Sequence, residues 1–158
     1  MFAISLNAVI ALTDQSERTL RRRIADGSLP RVADEGGSSY KTMIPFEAIR
    51  SQLVVPLASD EIHLVREADA GNASAQNDLA LLLLSHQKPQ GALYWLELAA
   101  KQECPEAMHW LARCYLEGNG VTQDENLGLM WLARSAARGH RISQQQVQAM
   151  RECFVRHH

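Results

Sequence analysis

The sequence predicts a mainly α-helical chain of two parts: a helix-turn-helix with a small β-hairpin at 1–54, then an α-solenoid of paired helices (an α-α superhelix) at 60–158. Three observations carry this. A block of small and apolar residues recurs at a spacing of 32 and then 36 residues. Apolar residues within each block recur at helical spacing. The first fifty residues lack that block and alternate short helical stretches with turn residues.

The recurrence is explicit in the second half. Ala75, Leu79, Ala80, Leu83 and Leu84 align with Ala107, Leu111, Ala112, Tyr115 and Leu116, 32 residues on. Tyr94-Trp95-Leu96 and Ala99-Ala100 align with Met130-Trp131-Leu132 and Ser135-Ala136 at an offset of 36. Each unit reads as two amphipathic helices, the second unit having four more residues between them. Small residues let the backbones approach, and Trp95, Trp131, Leu79 and Leu111 read as core. A single pair cannot bury both its faces, so units must stack. Partial units flank these two. His63–Gly71 occupies the register of a second helix ending at a left-handed glycine. Ser143–Val155 occupies that of a first helix, with Val147, Met150 and Phe154 as its expected inner stripe. About six helices result.

The run Ala107…Leu111-Ala112…Tyr115-Leu-Glu-Gly118-Asn-Gly120-Val121-Thr-Gln-Asp124…Trp131…Ser135-Ala136…Gly139 resembles the Sel-one-like repeat, a relative of the tetratricopeptide repeat. The resemblance covers roughly residues 60–155 and implies a curved scaffold that binds a protein or peptide. The first unit departs from the pattern. Its connection is cut to Ser85–Gly91 and lacks the Gly-Val-Asp signature, and in the second unit Gly128 stands where alanine is usual. Tyr94, His109 and Trp110 lie off the main stripe. They are the candidate partner contacts, because exposed aromatics mark interfaces; the competing reading packs them against the next repeat.

In the first half, Ser5 caps a helix running to Thr13, and Asp14-Gln15 is a turn. Ser16 caps a second helix, Glu17–Ala25, which Gly27 and Pro30 stop. Arg31-Val32 and Tyr40–Ile44 read as the arms of a hairpin with a polar Gly-Gly tip. Pro45 suits the first turn of a third helix, whose Phe46 and Ile49 face inward. This is the layout of a winged helix-turn-helix. The stretch Ser16-Glu-Arg18-Thr19-Leu20-Arg21-Arg22-Arg23-Ile24-Ala-Asp-Gly27-Ser-Leu29-Pro30 resembles the MerR-like and phage-excisionase class of DNA-binding domains. That class has a Ser-x-x-Thr start and a Gly-x-Leu-Pro exit; here Asp14 and Gln15 depart from its usual turn.

With Leu20 and Ile24 facing the core, Arg18 and Arg22 point nearly opposite, with Thr19 and Arg21 on the flanks. Arginines on such a helix grip phosphates or read guanine edges. The expected duplex-DNA contacts are Ser16, Arg18, Thr19, Arg21 and Arg22, with Arg31, Tyr40 and Lys41 on the hairpin, and the expected role is a transcriptional regulator or accessory factor whose repeats couple a protein partner to DNA. The competing readings are a solvated charged face, or a helix-turn-helix kept as a docking surface in a pure protein-interaction adaptor. The acidic hairpin tip Asp34-Glu35 favours the latter.

Charge does not decide between them. Residues 1–57 carry seven basic and six acidic side chains, and the remainder nine and twelve, a net of −2 overall. Cys104, Cys114 and Cys153 lack CxxC spacing and fit reduced thiols in a cytoplasmic protein. The apolar first residues have no basic start or cleavage site, so a buried helix is expected there, and no apolar run reaches the length of about 18 that a membrane span needs. No phosphate loop, nucleophile motif or metal-ligand spacing is found. A non-enzymatic protein with no cofactor or metal is expected. Any homodimer would use the repeats.

Overall fold

The computed structural model of the chain describes residues 2–32 and 41–157. In chain order come β1 (Ala3–Ser5), α1 (Leu6–Thr13), α2 (Glu17–Ala25), β2 (Met43–Pro45) and α3 (Phe46–Ile49). A 3-10 turn at Arg50–Gln52 continues α3. Then follow α4 (Ile62–Asp69), α5 (Ala73–Ser85), α6 (Pro89–Lys101), α7 (Pro105–Glu117), α8 (Glu125–Ala137) and α9 (Arg141–His157).

The first helices begin where the sequence places caps. Ser5 Oγ accepts from the Ala8 amide and Ser16 Oγ from the Thr19 amide, each satisfying an N–H with no intrahelical partner. Asp14 ends α1 in the left-handed conformation at φ 57°. Gly27 (φ 83°) turns the chain out of α2, and Leu29 drops into the core while its amide donates to the Arg23 carbonyl.

The expected hairpin takes another form. Met43–Pro45 is a strand, but its antiparallel partner is β1, with Ile4 opposite Ile44 and both fully buried. The reason lies in the apolar residues of β1, which bury a second isoleucine that the polar Arg31-Val32 arm cannot. One bond survives between the predicted arms, from the Val32 amide to the Met43 carbonyl. The tip at 33–40 lies outside the described residues. Pro45 closes the strand and precedes α3 rather than entering its first turn. Phe2 stacks on Phe46 across this short sheet, 4.9 Å between ring centroids.

From α4 onward each helix packs on the next, giving the six helices of a paired-helix array. The Gly-x-Gly-Val-x-x-Asp connection has a physical role at each position. Gly118 (φ 69°) ends α7 and Gly120 (φ 79°) lies against Pro89 and Leu93, where a side chain has no room. Val121 packs on the core, and Asp124 caps α8 by accepting from the Leu127 amide. The shortened first unit does without these glycines: Gln87 takes the positive φ (59°), and Pro89 opens α6 at once. Gly128, where alanine is usual, lies against Leu116, so a Cβ would collide with its side chain.

The two parts share one hydrophobic cluster, running from Ile4, Leu12 and Leu20 through Val65 to Trp95 and Leu111. Helix α1 packs on α6, and Gly91 allows it, because a Cβ there would overlap the Ala11 carbonyl oxygen. The expected inner stripe of α9 is corrected. Ser143 is buried and Val147 half-buried, whereas Met150 (44%) and Phe154 (64%) are exposed. Helix α9 packs on α8, and its first turn is the part most deeply buried.

Candidate functional site

The arginine helix is held from below. Leu20 is fully buried, and Ser16 Oγ caps the helix while donating to Thr19 Oγ1, so both hydroxyls are engaged locally. Arg18 and Arg22 are exposed and form no ion pair among the described residues. Arg21 is exposed but pairs with Glu17 at 2.9 Å. Arg23 turns away from this face. Its Nη1 donates to Gln15 Oε1 (2.7 Å) and Gln52 Oε1 (2.6 Å), and Gln15 Nε2 donates to Gln52 Oε1. The unusual Gln15 of the turn therefore ties α1, α2 and the 3-10 turn together. Asp26 sits beside Arg22 and Arg23; a bond from the Ser28 amide, chiefly, holds its carboxyl below the ordinary value. Arg31 and Lys41 are exposed, and Tyr40 lies outside the described residues.

The three candidate partner contacts separate. Tyr94 is half-buried on α6, edge-on to Trp95, where burial and then the Asp69 charge push its phenol above the ordinary value. It faces the chain's own first part. His109 is buried (4% exposed) and so is not available to a partner in this arrangement. Its Nδ1 lies 3.0 Å from Ser143 Oγ, and its ring stacks on His140 at 4.6 Å. Trp110 remains half-exposed, with the Arg113 guanidinium 5.0 Å above its ring.

A cleft of about 640 Å³ opens between the two parts. Its floor is one face of α6, formed by Tyr94, Leu98 and Lys101. One wall is Asn7, Arg21, Lys41 and Thr42; the other is Asp69, Gly71 and Gln76. Asp69 clamps the walls together by accepting from the Ser5 amide (2.8 Å) and Ser5 Oγ (2.7 Å). Sequence reasoning missed this clamp, and nothing local could have signalled it, since the partners are 64 residues apart.

Cys114 is buried, and its thiol is pushed up to about 11, chiefly by burial. Among the described residues no cluster of His, Cys, Asp and Glu is placed to hold a metal ion, and no helix is long and apolar enough to cross a membrane.

The comparisons with known proteins bear on the helical array. No curated protein matches the chain. Among solved structures, a Sel1 repeat protein from Oxalobacter formigenes is similar at 34% identity and a TM-score of 0.50. The match covers 53% of this chain and 25% of that one, so it spans a quarter of that protein's length. The Sel1 repeat model matches residues 73–104 and 105–140, and these limits coincide with the starts of α5 and α7. Residues 73–140 thus match two Sel1 repeats, each a helical hairpin.

Proposed function

We propose that this chain is a non-enzymatic cytoplasmic adaptor, in which the Sel1 repeats hold a protein partner and a MerR-like helix-turn-helix, α1 and α2, contacts duplex DNA. The observation that carries the DNA half is the pair Arg18 and Arg22, exposed and without an ion pair among the described residues on a helix anchored by Leu20. Two unneutralised arginines one turn apart match the spacing at which a helix meets phosphates or base edges. The free state of all three cysteines supports a reducing compartment.

A second reading keeps the adaptor and drops the DNA. Arg21 is occupied by Glu17, Asp26 lies beside Arg22, and Arg21 and Lys41 both line the cleft. In that case the helix-turn-helix is a docking wall.

Fluorescence anisotropy with a labelled random-sequence duplex separates the readings. The adaptor predicts binding at low salt that weakens at least about tenfold in the Arg18→Ala/Arg22→Ala variant. The slope of log affinity against log salt should fall by about 2, one for each lost phosphate contact. Equal affinity of wild type and variant at low salt removes the DNA half and leaves the second reading.

A further inference from the structure

We infer that the cleft between α2 and α6 is a binding site for a short, extended, acidic peptide segment. This deepens the protein-binding half of the adaptor and rests on it.

The charge of the cleft is one-sided. Among the described residues its lining holds Lys41, Lys101 and Arg21, the last of these paired with Glu17, and one carboxylate, Asp69. That carboxylate is already engaged by two short hydrogen bonds from Ser5. Neither Lys41 nor Lys101 forms an ion pair among the described residues. The cations come from α2, the segment before β2 and α6, so they flank the cavity instead of lining one solvated helix face. Charges gathered around a concave, partly desolvated wall attract opposite charge more strongly than the same charges on open surface.

The shape is that of a trough. A second cavity of about 320 Å³ shares Asn7 and Tyr94 with the first and extends past Ile10, Ala11 and Gly91 to Gln90. From Gln90 to Lys101 the floor follows α6 for a rise of about 16 Å, which is the reach of about five extended residues. One end is cationic; the other is lined by half-buried Ile10 with Gln15, Ser16 and Asp14, so the acidic side chains of the segment belong at the first end. The side chains of Asn7 and Thr42 make no hydrogen bond among the described residues, so they are available to a peptide backbone. A single nucleic-acid strand fits less well. It needs open aromatic faces on which to stack, and among the described residues the one lining aromatic, Tyr94, is half-buried edge-on against Trp95.

The test uses the full chain and three fluorescein-labelled probes: a hexapeptide alternating glutamate and leucine, its lysine-leucine counterpart, and a six-nucleotide oligothymidine. Saturable binding of the glutamate peptide is expected, with none of the lysine peptide and weaker binding of the oligothymidine. Lys101→Glu and, separately, Lys41→Glu should each weaken the glutamate peptide at least about tenfold. Arg156→Glu, the same charge change on α9, should leave it unchanged. The site is overturned by any of four results: no saturable binding, unchanged affinity in both lysine variants, equal loss in Arg156→Glu, or tighter binding of the oligothymidine. Circular dichroism verifies that each variant folds, and the two lysine variants stand in for one another. A chain that holds duplex DNA but ignores the peptide loses this site and keeps the DNA half of the adaptor; the opposite pattern does the reverse.

Discussion

Ser143 carries the hydrogen-bond traffic between the second Sel1 repeat and α9. Its Oγ lies 3.0 Å from both His109 Nδ1 and His140 Nδ1, and 2.9 Å from Ser135 Oγ, which donates to the Pro105 carbonyl. His109 is held below its ordinary pKa of 6.5, first by burial, then by His140 and Arg113, with Glu106 acting weakly the other way. The unfolded chain therefore takes up a proton near pH 6.5 while the folded chain resists until lower pH. Stability from this group is complete above 6.5 and declines as pH falls from 6.5 toward the depressed value. The melting temperature should drop between pH 7.5 and 5.5, and drop less in a His109→Gln variant; equal drops would show that another group is responsible. How well each residue was legible follows from where its partner sits. Ser5 and Ser16 were readable as caps because a cap's partner lies three residues away. His109 passed for an exposed aromatic because Ser143 is 34 residues distant, and Gln15 for a mere departure because Gln52 is 37 away.

Among the elements, helix α6 shows how a single position sets a packing distance. Gly91 lies in its first turn against the Ala11 carbonyl of α1. Gly91→Ala gains helix propensity, at most about 1 kcal/mol. It also forces a methyl group into backbone, an overpacking that costs about 1–3 kcal/mol. The cost should win, lowering the unfolding free energy by a net of about 1 kcal/mol and with it the urea midpoint; an unchanged or raised midpoint would mean that α1 and α6 can separate freely. The long helices were legible because thirteen-residue amphipathic periods and proline starts are local signals. β1 was not. Three residues carry no period, and the strand exists only through Ile44, forty positions away. The outer face of α9 was misjudged for a related reason. Its apolar residues promised a buried stripe, but burial depends on how closely a neighbouring element packs, and Met150 and Phe154 stay exposed.

Taken as one body, the molecule has no seam in its interior. The cluster that holds Leu12 and Leu20 of the first part also holds Trp95 and Leu111 of the repeats, and the Ser5–Asp69 clamp and the α1–α6 contact cross the same boundary. The two-part plan read from the sequence describes the order of elements along the chain, and the repeats hold the chain's own first part. A continuous core has a kinetic signature. Amides buried on either side of it can reach solvent only when the whole core opens, so their deuterium uptake should share one slow rate. Helices α1, α5, α6 and α7 should exchange together, and the exposed later turns of α9 much earlier. If α1 exchanged far ahead of α6, the first part would be opening alone, and the peptide trough would come apart with it. Common slow exchange would instead make the trough a preformed groove, whose walls need no ordering when a segment enters.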